Sequence, residues 1–122
     1  MNCKRIIYYY KTFVDIDNII NLEDVVTHIH LSSIHFGLEN NKHCIYLNDN
    51  NPLDACYNKV WNQLLSYKKI CKGKVILMIG RENGVSTLFE DFDMYYNLLK
   101  SIINKNKNII DGVDLDVDEN IK

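Results

Sequence analysis

Stretches with the two-residue period of a strand alternate along this chain with stretches of helical period, and that order leaves few architectures open. Residues 4–10 are rich in β-branched and aromatic side chains and read as a first strand. Residues 25–36 and 74–80 are almost continuously apolar, as strands covered on both faces are. Residues 17–26 offer a short helix between the first two strands. Val60, Trp61, Leu64, Leu65 and Tyr67 recur at helical spacing before the third, with Gly73 just beyond the expected helix end. Residues 38–47 read as a small hairpin turning at Asn40-Asn41, and the polar stretch 48–54, with Pro52, leads into that helix. After a loop over residues 81–86, Phe89, Phe92, Tyr95, Tyr96, Leu99, Ile102 and Ile103 define the apolar face of one more helix. Ser86 or Thr87 is its expected cap, and Glu90 and Asp91 lie in its first turn. The order implies a parallel α/β sheet in a single domain, residues 1–122.

The fourth strand, expected over residues 109–118, is unlike the others. It reads Asp111-Gly112-Val113-Asp114-Leu115-Asp116-Val117-Asp118-Glu119. Successive side chains of a strand point to opposite faces, so Asp114, Asp116 and Asp118 share one face and Val113, Leu115 and Val117 the other. A row of carboxylates on an otherwise apolar strand is costly to build and suits a strand end that opens into a catalytic cleft. Glu119 falls on the opposite face to Asp118. A calcium loop of the EF-hand type wants Gly in its sixth place, where this sequence has Glu119, and a Glu in its twelfth, beyond Lys122.

This segment resembles the Asp-Gly-x-Asp-x-Asp-x-Glu signature of the family 18 glycoside hydrolases, the chitinase family, at the end of barrel strand four. Asp111, Gly112, Asp114 and Asp116 match in register, and Asp118 stands where the family has its catalytic Glu. Residues 78–81, Met-Ile-Gly-Arg, are similar to the family's Ser-x-Gly-Gly segment, with the Ser and the second Gly replaced. Thr27-His28 and Phe36 resemble the opening and the end of the family's second strand. The resemblance implies part of a (β/α)8 TIM barrel, about its first four β/α units, because a whole barrel takes about 250 residues. It implies Asp118, Asp116 and Asp114 as catalytic residues, with Tyr10, Asp111 and Gly80 at the substrate. The implied reaction is retaining, substrate-assisted hydrolysis of β-1,4 N-acetylglucosamine polymers such as chitin. A truncated barrel and a shortened acid imply a chain that is inactive or strongly impaired by itself, so whether it is an enzyme stays open at this point. Open sheet edges imply pairing with a second copy or with a full-length relative.

Composition excludes little. Hydrophobic residues make up 47% and charged residues 25%, ordinary values for a globular domain, and the net charge of −2 gives no footprint for nucleic acid. The basic stretch 68–74 reads as a helix end and loop. Cys3, Cys44, Cys56 and Cys71 form no CxxC pair and read as free thiols. Without an expected signal peptide, membrane span or Asn-x-Ser/Thr sequon, a cytoplasmic protein without membrane or nucleic-acid partners is expected. No cofactor and no metal are expected. Two further readings stand beside the glycosidase. One is a non-catalytic carbohydrate-binding or interaction module. The other is a metal-dependent hydrolase around His28 and His30, with His35 nearby, although that pair lies early in its strand and away from the rim where barrel sites form. Trp61, at core spacing, reads as packing.

Overall fold

The computed structural model describes residues 7–10, 26–80 and 84–115. The expected helix over residues 17–26 falls almost wholly outside them, as do Arg81, Asp116, Asp118 and Glu119. Five strands form one sheet: β1 (Ile7–Tyr10), β2 (His28–Glu39), β3 (Lys42–Leu47), β4 (Lys74–Ile79) and β5 (Gly112–Leu115). A 3-10 turn at Ala55–Tyr57 leads into α1 (Asn58–Cys71), and α2 (Gly84–Glu90) and α3 (Phe92–Lys105) join β4 to β5. The strand order is β1-β2-β4-β5, every pair parallel, and β3 pairs antiparallel with β2. The chain is thus an α/β protein built on a parallel sheet. No helix among the described residues is long and apolar enough to cross a membrane.

Register assigns the two faces. Tyr8, Ile29 and Val75 align, as do Tyr10, Leu31, Leu77 and Val113, and Ile34, Ile79 and Leu115. This face meets the helices. Val60, Trp61, Leu64 and Tyr67 of α1 and Leu88, Leu99 and Ile102 of α2 and α3 complete the buried cluster on it. Tyr9, His30, Ile76 and Gly112 align on the second face, followed by the Met78–Asp114 pair. A register shift between Leu31 and Ile34 inserts one residue into β2, so both side chains reach the helix face although they are three apart.

β2 outruns β4 and, with β3, forms the expected hairpin. Its turn is Asn40-Asn41, both at positive φ (52° and 64°), the geometry that suits the twist of a two-residue turn. Phe36 packs on Tyr95 of α3 with ring centroids 5.1 Å apart. The helix expected over residues 86–103 is instead two, broken at Asp91, and Ser86 and Thr87 lie inside α2 rather than capping α3. Phe89, Phe92 and Tyr96, expected on the apolar face, are exposed and stack on one another across the break at 5.7 and 5.2 Å.

Gly73 lies just beyond the end of α1, as expected. The left-handed cap is Lys72 (φ 56°), and Gly73 follows it for another reason. A Cβ on Gly73 would lie 1.8 Å from Tyr67 Oη and 2.9 Å from the Thr27 carbonyl oxygen. Only glycine lets the chain pass this close to a fully buried tyrosine.

Candidate functional site

The acidic strand supplies the candidate site, and the described part of it divides in two. Asp111 precedes β5, at the end of the sheet where the parallel strands begin. Its carboxylate accepts the Val75 N–H at 2.8 Å and the Lys68 ammonium at 2.5 Å. Its own N–H donates to the Val75 carbonyl at 2.8 Å. Partial burial alone would raise its pKa, but the Lys68 and Val75 hydrogen bonds outweigh that and hold it below the ordinary carboxylate value. Asp111 therefore acts as a structural pin between β5, β4 and the end of α1. It was expected at the substrate; in the structure its side chain, at the start of β5, meets Lys68 of α1 and the Val75 N–H, while Asp114 lies on the other face.

Asp114 occupies the second face, as strand alternation demands, in register with Met78. The Ser32 hydroxyl donates to the Met78 thioether at 3.1 Å. His30, two strands away on β2, brings Nδ1 to 3.6 Å from Asp114 Oδ2. That separation exceeds a hydrogen bond, and His30 Nδ1 is buried without a partner. Tyr9 meets the His30 ring edge-on at 5.4 Å. Tyr9, His30, Ser32, Met78 and Asp114 thus share the face that carries the carboxylate.

Tyr10 does not join them. The sequence reading brings it to the cleft, but the parity of β1 sends it to the helix face, fully buried, where its hydroxyl donates to Gln63 Oε1 at 2.9 Å. Tyr9 takes the second face instead. Gly80 ends β4 at the opposite end of the strands from Asp111 and donates its N–H to the Ile34 carbonyl at 3.0 Å. Asp116 and Asp118, the remaining expected catalytic residues, lie outside the described residues. Trp61 is core, its indole N–H donating to the Pro52 carbonyl at 2.8 Å.

The histidine pair disperses. His28 Nδ1 lies 2.7 Å from the Thr27 hydroxyl, His30 faces Asp114, and His35 stacks on Tyr46 with Nε2 2.5 Å from the Asn48 carbonyl. Among the described residues no three His, Cys, Asp or Glu side chains gather to hold a metal ion. Behind the sheet, burial first, then the nearby Cys71 and Asp111, pushes the Tyr67 hydroxyl up to about 12.

Sequence reasoning passed over Tyr9 and the reach of His30 to Asp114. Neither follows from a local period, since aligning Tyr9 and His30 with the acid face takes the register of all four parallel strands. No family model matches the chain, and neither a curated protein nor a solved structure matches it.

Proposed function

We propose that these 122 residues carry four β/α units of a barrel like that of the family 18 glycoside hydrolases and bind a β-1,4-linked N-acetylglucosamine polymer. The observation that carries the reading is Asp114, held by the register of β5 with β4 on the face of the parallel sheet that no described helix covers. The strand order supports it too. Apart from the hairpin, each parallel strand lies beside the next in sequence. A barrel steps one way round in this manner, whereas a doubly wound sheet reverses.

In the proposed chemistry the substrate's own N-acetyl carbonyl is the nucleophile. Asp118 protonates the glycosidic oxygen, Asp116 orients the acetamide, and Asp114 shares a proton with its neighbour because crowded carboxylates do not all ionise. Asp118 is a methylene shorter than the glutamate of the resembling motif, and a displacement of about 1 Å can cost roughly 10²-fold in rate. Four parallel strands are half of a closed ring. The reading is therefore binding without efficient turnover by these residues alone. A melt of the purified chain tests it: chito-oligosaccharide raises the Tm, since a ligand of the native state stabilises it. A folded chain whose Tm ignores the sugar sinks the glycan reading. A burst of product that disappears in Asp116→Ala sinks the inactivity.

An interaction role is the second reading, favoured by one patch. Phe89, Phe92 and Tyr96 line an apolar groove of about 410 Å³ together with Val113 and Leu115 on the margin of β5. A patch of this kind beside a strand edge suits pairing with a second copy or a larger relative. Sedimentation that reports a monomer at every concentration removes the self-pairing form of this reading.

A further inference from the structure

A carboxylate such as Asp114 is oriented by a hydrogen-bond donor, and the described residues around it narrow the choice of one. Its register partner Met78 has no donor and already accepts from Ser32. Ile76 and Gly112, which share the face below it, offer no polar side chain. His30 does reach it. The residue is only 9% exposed, and its Nδ1, 3.6 Å from Asp114 Oδ2, is buried without a hydrogen-bond partner. Such an orphan is rare in a folded protein and calls for an explanation. The Tyr9 ring, edge-on to the imidazole, limits how far His30 can turn. Asp114, with its side chain 48% exposed, has room to close the gap.

We propose that His30 is the positioning residue of Asp114. Its Nδ1–H donates to the Asp114 carboxylate, which fixes the carboxylate's orientation and leaves His30 Nε2 as a hydrogen-bond acceptor on the same face. The pair reaches across β4, so it also ties β5 to β2. Its use in holding an N-acetylglucosamine-containing glycan rests on the reading of the preceding subsection, whereas the contact itself does not.

Nitrogen-15 NMR of the imidazole at about pH 8, where histidine is mostly neutral, tests the contact without any sugar. The expected result is the Nδ1–H tautomer in the wild type, giving way to Nε2–H in Asp114→Ala, with the backbone spectrum confirming that both are folded. The same tautomer in both proteins overturns the proposal. Titration with chitotetraose tests the use. His30→Leu is expected to bind roughly tenfold more weakly, the loss of one hydrogen bond to a charged group. Met78→Ser added to His30→Leu sets a hydroxyl beside Asp114 and recovers most of that loss, which a purely structural histidine would not allow. Unchanged affinity in His30→Leu overturns the role. If the tautomer responds and the wild type ignores the sugar, the contact stands and the glycan reading falls. If the wild type binds the sugar and the tautomer does not respond, the positioning falls and the glycan reading stands.

Discussion

β4 and β5 carry the same kind of residue on the same face and meet opposite fates. Leu77 is paired with Val113 and Ile79 with Leu115. Leu77 and Ile79 are fully buried, while Val113 and Leu115 remain 37% and 45% exposed. The two strands differ in what flanks them. β4 has a strand on each side, β2 and β5, whereas β5 has only β4 among the described residues. Between these two strands burial follows what lies beside and over them and not apolar character alone; Tyr10 on β1, with only β2 beside it among the described residues, is fully buried under α1. The same margin leaves Phe89, Phe92 and Tyr96 stacked on one another beside Val113 and Leu115.

Paired truncations would break this comparison most directly. Leu77→Ala is expected to cost about 3 kcal/mol, the sum of lost transfer energy and an unfilled cavity. Leu115→Ala is expected to cost less than about 1 kcal/mol, because much of that side chain already faces solvent. Urea denaturation of both variants measures the contrast. Equal losses would mean that β5 is covered in solution, by a second copy or by another segment, and a concentration-dependent midpoint would separate those two cases.

A test on the well-covered side comes next in size. Gly73→Ala places a methyl group where Tyr67 Oη and the Thr27 carbonyl already lie. The Tyr67 hydroxyl donates to the Val26 carbonyl at 3.1 Å and its ring is fully buried, so it has no free direction in which to retreat. Overpacking of this kind costs about 2 kcal/mol. A Gly73→Ala midpoint within error of the wild type would mean that this side is no more tightly filled than the β5 margin.

These positions also mark where sequence reading succeeds and stops. The strands at 74–79 and 28–36, the Asn40-Asn41 turn and the α1 core were legible because each rests on a local period or a local backbone demand. The second-face position of Asp114 was legible from alternation alone. Tyr10 was misplaced because parity can only be assigned once a strand's register with β2 is known. The Asp91 break was hidden because Phe89, Phe92 and Tyr96 continue the helical period across it. Gly73 was expected just beyond the helix end and lies there, but what demands a glycine at that place is Tyr67, six residues earlier, and Thr27, far away in sequence. Asp111 was read through the motif it resembles, while its contacts with Lys68 and Val75 depend on a meeting of three elements.

Asp111 supplies the smallest effect and sharpens the contrast between the strands. β4 is held mainly by apolar burial, but β5, short and exposed, is fastened at its start by a carboxylate. The folded-state pKa of Asp111 is depressed. Its contribution is therefore present above the unfolded value of about 3.9 and is lost as pH falls through the lower folded value. Asp111→Ala is expected to cost about 1 kcal/mol at neutral pH, because the ion pair is partly solvent-screened while the Val75 N–H loses its side-chain acceptor. The cost shrinks as the wild type is acidified below about pH 4, where it loses the same interaction by protonation. Denaturation midpoints of the two proteins from neutral pH down to that range check this. Curves that stay parallel throughout would show that β5 is not held by the Asp111 charge, and the margin of the sheet would then owe its place to contacts beyond those that pin it to β4 and α1.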